Sequence, residues 1–257
     1  MTQLARIVAY ANKYLRIAEF VDSTNALNGL QVQNSGRVTR LGAAVDASTR
    51  TLREAVAQKV DLLLVHHGLF WDGNIPLTGR RYRRVATLLE HDIPVYAAHI
   101  PLDVHPDVGN NAVLAERLGI QVEGWFGSYR GHPIGVWGHL PGSLHSREAV
   151  ALELDRVLHT LKGSATLIPG GPERPVRVGI ITGGAGNMIA AARDAGLDTF
   201  ITGEGPHHTY FDAMEWGLNV IYAGHYATET LGVQAMASQV ADRFHLDWDF
   251  HDHPTGL

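Results

Sequence analysis

The sequence predicts an α/β protein built from two internally related lobes with mostly parallel sheets. Three observations carry this expectation. Short β-branched runs alternate with helical stretches along most of the chain, which implies parallel strands joined by right-handed crossovers. One strand–helix–strand unit recurs later in the chain in the same register. The length of 257 residues at 45% hydrophobic content suffices for one large or two small cores and excludes a disordered chain.

Taken in order, apolar residues at Leu4, Ile7, Val8, Ala11 and Leu15 mark one face of an opening helix. Asn28-Gly29-Leu30-Gln31-Val32 reads as a turn into an edge strand. The first alternation then runs strand 41–46, helix 51–59, strand 61–65, helix 82–90, strand 93–98 and helix 111–118. A middle stretch from about 125 to 171 adds strand 134–140, helix 147–161 and strand 165–168. Pro169-Gly170-Gly171-Pro172 and the prolines up to Pro175 break the chain, and a second alternation begins.

The second alternation repeats the first. At a shift of 137 residues, Arg40, Gly42, Ala55, Asp61 and Gly68 fall on Arg177, Gly179, Ala192, Asp198 and Gly205, all identical. Further on the shift becomes 126, which places Val95-Tyr96-Ala97-Ala98-His99 over Ile221-Tyr222-Ala223-Gly224-His225 and Asp103 over Glu229.

A net charge of −5 disfavours nucleic-acid binding through a basic surface. The tract Arg80, Arg81, Arg83 and Arg84 is read as a solvated face, with steering of phosphate as its alternative. No apolar run reaches the length of a membrane span, and the N-terminus lacks the pattern of a signal peptide. The chain has no cysteine, hence no disulfide, thiolate nucleophile or thiolate metal site. These features lead to the expectation of a cytoplasmic protein. Fifteen histidines beside twenty-six acidic residues point towards metal or proton chemistry, provided their positions agree.

In an open parallel sheet, ligands bind beyond the carboxyl ends of the strands. The strand 61–65 runs into His66-His67-Gly68, the strand 93–98 into His99 with Asp103 four residues on, and a second-lobe strand at 219–224 into His225, with Glu229 expected in the first turn of the next helix. Adjacent histidines on a strand face opposite ways, but at a strand end before glycine both can turn to one cavity. Three imidazoles and two carboxylates drawn from these strand ends would make a ligand set suited to Fe, Zn, Mn or Co and unsuited to Ca or Mg. A carboxylate can bridge two ions, and a two-metal site activates water and clamps a displaced group.

Blander readings stand beside these. A histidine in a strand-end loop is more often a hydrogen-bonded structural residue, and His105, His132, His139, His145, His159, His245, His251 and His253 are placed in that class. Asp103 has the alternative of capping a helix, and Glu229 that of favouring a helix dipole. His207-His208 open a helix after Pro206, where a structural or substrate-facing role is expected. Gly183-Gly184-Ala185-Gly186 could cradle a phosphate but lacks the dinucleotide fingerprint.

Asn28-Gly-Leu-Gln-Val, Leu64-Val-His-His-Gly, His99-Ile-Pro-Leu-Asp103 with Gly109-Asn-Asn, Thr202-Gly-Glu and Gly224-His-Tyr-Ala-Thr-Glu229 occur in this order. Together they resemble the Nif-three-like dinuclear metal-centre proteins, whose relatives include those named GTP cyclohydrolase type 2. The resemblance runs nearly end to end. It implies two interlinked α/β lobes and a toroidal homohexamer with metal pairs facing an internal cavity. Matched residue by residue, it implies His66, His67, Asp103, His225 and Glu229 as ligands of two divalent ions, with Glu229 bridging, and His99 and Tyr226 as proton donors or outer partners lining the site. Longer family members carry an extra domain between the lobes, where this chain has only the stretch from about 125 to 171. The lobes are expected at 1–125 with about 223–257, carrying most of the ligands, and at about 126–222.

The function expected from all this is metal-dependent hydrolysis of a small molecule, with the opening of a purine ring as the cyclohydrolase form. A two-metal phosphoesterase and a non-catalytic metal-binding ring or scaffold are the alternatives.

Overall fold

The structure, a computed structural model, describes residues 2–160 and 164–257. In chain order its elements are β1 (Thr2–Gln3), α1 (Leu4–Tyr14), β2 (Gly29–Val32), β3 (Arg37–Val38), β4 (Arg40–Asp46), α2 (Thr49–Ala57), β5 (Leu62–His67), α3 (Gly79–Glu90), β6 (Val95–Ala97), α4 (Ile100–Asp103) and α5 (Asn110–Arg117). There follow β7 (Gln121–Tyr129), β8 (His132–His139), α6 (Arg147–Val157), β9 (Thr166–Pro169), β10 (Arg177–Ile180), α7 (Ile189–Asp194), β11 (Thr199–Thr202), α8 (Thr209–Trp216), β12 (Asn219–Tyr222), α9 (His225–Phe244) and β13 (Asp247–Phe250). The expected end of the helix at Leu161 lies outside the described residues. Among the described residues, no helix is long and apolar enough to cross a membrane.

The chain divides into two compact units, Met1–Leu102 with Gly232–His253 and Asp103–Leu231 with Pro254–Leu257. Of the three crossings, two fall inside helices, α4 and α9, and the third follows β13. The boundaries expected near 125 and 222 lie elsewhere for a packing reason. Leu114, Ala115 and Leu118, at one end of this stretch, and Leu231, at the other, belong to the core around Val136, Val178, Ile201 and Ile221, which is the core of the second unit.

The sheet of the first unit has the order β13-β4-β5-β6-β2. β13, β4, β5 and β6 run parallel, and β2 closes one edge antiparallel to β6. Leu62 to Val65 are all buried, as a strand covered on both faces requires. α2 starts where the Ser48 hydroxyl accepts from the Thr51 N–H at 3.1 Å, an N-cap. Its Leu52 and Ala55 then pack with Leu88 of α3 against Leu63, Val65 and Val95.

The second sheet has the order β7-β8-β10-β11-β12-β9. Here β10, β11 and β12 are parallel, while β8 and β9 flank them antiparallel and β7 pairs antiparallel with β8. The parallel character expected from the alternation therefore holds at the centre of both sheets, with β2 antiparallel at one edge of the first and β8 and β9 antiparallel on either side of the parallel strands of the second. β7 has no counterpart in the sequence reading. Gly124 and Gly127 interrupt it, and most of its residues are exposed or half-buried, so no apolar alternation marks it. The two-residue loop Arg130-Gly131, both at positive φ, turns it into β8 with the twist that suits a hairpin.

The sequence repeat corresponds to a structural one. The Asp61 N–H donates to the Arg40 carbonyl at 2.9 Å, and the Asp198 N–H to the Arg177 carbonyl at 3.0 Å. The Asp61 carboxylate accepts from the N–H groups of Thr39 and Arg40, and that of Asp198 from those of Val176 and Arg177. In each copy one aspartate ties the start of the second strand to the start of the first.

Gly42 of β4 shows how tightly the first unit is filled. A Cβ there would lie 2.6 Å from His251 Nε2 and 3.0 Å from Val60 Cγ2, and His251 and Val60 are both buried. Gly42→Ala is expected to destabilise the protein by about 1–3 kcal/mol through overpacking, read from the midpoint of urea unfolding. An unchanged midpoint would show that the ring moves aside at no cost.

Candidate metal centre

In the first unit, β5 delivers His66 and His67. His66 is 1% exposed, and its Nδ1 lies 2.9 Å from the Ala98 carbonyl oxygen. A carbonyl only accepts, so Nδ1 carries the proton and the lone pair of the neutral ring sits on Nε2. His67 lies opposite Asp46 in the β4–β5 ladder, and its Nδ1 is 2.9 Å from Asp46 Oδ1. The two rings approach to 4.7 Å between centroids, as a strand end permits.

His99 follows β6. Its backbone N–H donates to Asn28 Oδ1 at 2.7 Å, and its Nδ1 lies 2.9 Å from Asp22 Oδ1. His66, His67 and His99 each offer a nitrogen within 4.8 Å of the others, a group that could hold a metal ion. Trp71 stands edge-to-face with both His67 and His99. Gln31 braces the loop after the histidine pair, its Oε1 accepting from the Leu69 N–H at 2.7 Å. Gly68 leaves room for that side chain, since a Cβ would come 2.2 Å from Gln31 Nε2. Asn28-Gly-Leu-Gln is thus the edge strand it reads as, and its Asn28 and Gln31 side chains also fasten the two histidine-bearing loops.

In the second unit, His225 and Glu229 stand one turn apart at the start of α9, with His225 Nε2 3.1 Å from Glu229 Oε1. The helix begins at His225, so Glu229 lies beyond the first turn where the sequence reading placed it. His225 Nδ1 meets Glu204 Oε1 at 2.7 Å. The hydrogen bond that His225 donates to Glu229 in the first place, with Glu204 adding to it against the effect of burial, pushes the His225 pKa up to about 9.

Asp103 is buried, and its Oδ1 accepts from Asn110 Nδ2 at 2.8 Å and from Thr182 Oγ1 at 3.4 Å. It does not cap α5, whose N-cap is Gly109. Of the Gly109-Asn-Asn motif, Asn110 holds Asp103, while Asn111 accepts from the Thr182 N–H at 2.8 Å and donates to the Ile134 carbonyl at 2.7 Å. The next residue, Gly183, has φ +71°, and a Cβ on it would lie 2.3 Å from Glu229 Oε1. Asp103 and Glu229 therefore border consecutive residues, and the glycine tract that reads as a possible phosphate cradle packs against the Glu229 carboxylate instead. Tyr226 is buried, and its backbone N–H donates to the Leu257 carbonyl at 3.2 Å.

The division of the chain gives His66 and His67 to the first unit and Asp103, His225 and Glu229 to the second. The first unit thus holds two of the five expected ligands, because two of the crossings lie within the helices that bear Asp103 and His225. Elsewhere, His105 accepts through Nδ1 from the N–H groups of Asp107 and Val108, His251 and His253 face Glu54, and His207 and His208 are exposed ahead of α8. In the arginine tract, Arg81 donates to the Ile75 carbonyl and lies over the Phe70 ring.

Three acidic residues at these histidines escape a reading of the sequence: Asp22, Asp46 and Glu204. Glu204 had a signal, standing within Thr202-Gly-Glu, and Asp46 ends a strand beside β5. Asp22 had none, since its partner is 77 positions away.

Fold and side chains together define an α/β protein whose two units each present histidines fixed by acidic or carbonyl oxygens. The family described as Duf34/NIF3 (NGG1p interacting factor 3) matches residues 2–254, and the chain belongs to it. A protein of Deinococcus radiodurans named GTP cyclohydrolase 1 type 2 homolog is 46% identical over 253 residues, which cover 98% of this chain and 93% of that protein. One of the same name from Treponema pallidum is 41% identical, with 97% and 98% covered. Among solved structures, TTHA1606 from Thermus thermophilus superposes with a TM-score of 0.86 at 39% identity, covering 99% of this chain and 100% of that one.

Proposed function

We propose that the protein is a metal-dependent hydrolase in which His66, His67, Asp103, His225 and Glu229 would hold two divalent ions, and that it acts on a small molecule of the purine-nucleotide class. The observation that carries this is the orientation of the three imidazoles. His66, His67 and His225 each direct Nδ1 at an oxygen acceptor, the arrangement that aims the other nitrogen of a metal-ligating histidine. Imidazole and carboxylate together suit Fe, Zn, Mn or Co. Bound there, the ions supply Lewis acidity and an activated water. The protein contributes the orientation of its ligands, with His99 and Tyr226 as the groups that move protons. The nucleotide class rests on the name carried by the relatives. A homohexameric ring working in the cytoplasm belongs to the same reading, supported by the family resemblance and the lack of cysteine.

Elemental analysis of anaerobically purified protein tests the ligand set. About two ions per chain are expected in the wild type, with loss in His67→Ala and in Glu229→Ala. Release of formate from GTP, abolished in both variants, would support ring opening, whereas release of phosphate would favour a phosphoesterase. Metal lost without change in any turnover would leave a non-catalytic metal-binding protein.

A further inference from the structure

We infer that Asp22 is a positioning residue that holds His99 as the tautomer protonated on Nδ1, so that Nε2 is the atom that accepts and returns a proton. This rests on the reading of His99 as a proton carrier. Three observations within the first unit support it.

The Asp22 side chain is 4% exposed, yet it forms no ion pair with lysine or arginine among the described contacts. Its partners other than the His99 ring are all donors. Oδ1 accepts from the Ser23 N–H at 2.6 Å and lies 2.9 Å from His99 Nδ1. Oδ2 accepts from Asn28 Nδ2 at 2.8 Å and the Ile100 N–H at 3.1 Å. Burial opposes its ionisation, but the hydrogen bond and the charge attraction of His99, with the hydrogen bonds from Asn28 and Ser23, outweigh burial and hold its pKa below the ordinary carboxylate value. An ionised carboxylate only accepts, so the His99 nitrogen facing it carries the hydrogen.

The cage is tied to His99 from more than one side. Asn28 donates to Asp22 and accepts the backbone N–H of His99, and Asp22 also receives the N–H of the following residue, Ile100. Backbone and ring of His99 are thus set by one side-chain cluster. The ring itself meets His66, His67 and Trp71 at 4.8–5.7 Å between centroids, among the histidines that carry the proposed metal chemistry.

In the step this arrangement serves, an O–H bond of water or substrate breaks, its electron pair stays on the oxygen, and the proton goes to Nε2. The ring is then an imidazolium with hydrogen on both nitrogens, steadied by Asp22, which does not itself take the proton. The proton leaves from Nε2 to the departing group.

15N NMR of the metal-free full-length protein carrying ring-15N histidine tests this, with the His99 resonances identified by their absence in His99→Gln. The wild type is expected to show a protonated Nδ1 and a bare Nε2. In Asp22→Asn the new amide must face a donor whichever way it is turned, because both oxygens of Asp22 accept. The protonated Nδ1 signal is therefore expected to be lost or divided between tautomers, while elemental analysis finds the metal content of the wild type. With any substrate turned over, kcat falls by about 10²–10⁴-fold with little change in KM.

A bare Nδ1 in the wild type would overturn the inference whether or not the variant folds. So would an Asp22→Asn protein that keeps the wild-type tautomer, or one that loses its metal, since Asp22 would then serve the ligands rather than His99. A wild type without metal would instead overturn the two-metal reading, and the tautomer measurement would still decide the role of Asp22.

Discussion

Asp46→Ala is expected to lower the affinity of the protein for zinc by about 10–100-fold, and Glu204→Ala to do the same, while both keep the wild-type unfolding free energy to within about 0.5 kcal/mol. Asp46 and Glu204 are no part of the proposed ligand set. Each meets the Nδ1 of one histidine, at 2.9 Å for His67 and 2.7 Å for His225, and so orients that ring. Both carboxylates are well exposed, at 40% and 52% of the side chain, so their loss leaves no cavity and the fold should not register it. Competition against a chelator of known affinity measures the effect, with Asp72→Ala as a control that removes an exposed carboxylate near Arg80. Unchanged zinc affinity in both variants would mean that the rings are oriented by packing alone. The third acceptor, the Ala98 carbonyl that holds His66, belongs to the backbone and cannot be removed in this way.

Gly183→Ala is expected to disable the ligands proposed in the second unit, and Gly184→Ala to be tolerated. At Gly183 two costs coincide. Its φ of +71° is a left-handed conformation that costs an L-residue about 1–2 kcal/mol. A Cβ would also stand 2.3 Å from Glu229 Oε1, and Glu229 is buried at 3% exposure, so its carboxylate has little space to retreat. At Gly184 the nearest atoms to a Cβ are His225 Cε1 at 3.4 Å and Glu204 Oε1 at 3.5 Å, which is ordinary van der Waals contact. Urea unfolding should show a loss of about 1–3 kcal/mol for Gly183→Ala, and elemental analysis should show metal missing from it. If Gly184→Ala is damaged equally, the whole tract is sensitive for another reason. If Gly183→Ala keeps its metal, Glu229 has moved without consequence and its role as a ligand is wrong.

Much of this protein is set by local pattern. The β-branched runs that become β4, β5, β6 and β12, the apolar face of α1, and the repeat pairing Arg40 and Asp61 with Arg177 and Asp198 depend on neighbours in sequence and on a fixed period, so they show in the chain itself. The same holds for His66, His67, His99, His225 and Glu229, because residues at the carboxyl ends of strands or one helical turn apart are marked by spacing alone. Strands without an apolar period, such as β7, carry no such mark, and the hairpin that forms them depends on two residues at positive φ.

What surrounds the histidines is a tertiary matter. Asp22 reaches His99 across 77 positions, Asp46 reaches His67 across 21, and Glu204 reaches His225 across 21. Whether a carboxylate fixes a ring nitrogen or lies idle on the surface depends on which loops the sheets bring together, and no periodicity records that. The division into units is likewise decided by packing, since Leu114, Ala115 and Leu118 join the second core through contacts distant in sequence. Sequence alone determined which residue types stand at the strand ends. Tertiary structure decided which oxygen meets the Nδ1 of each ring, because a hydrogen bond depends on a partner that local sequence does not specify.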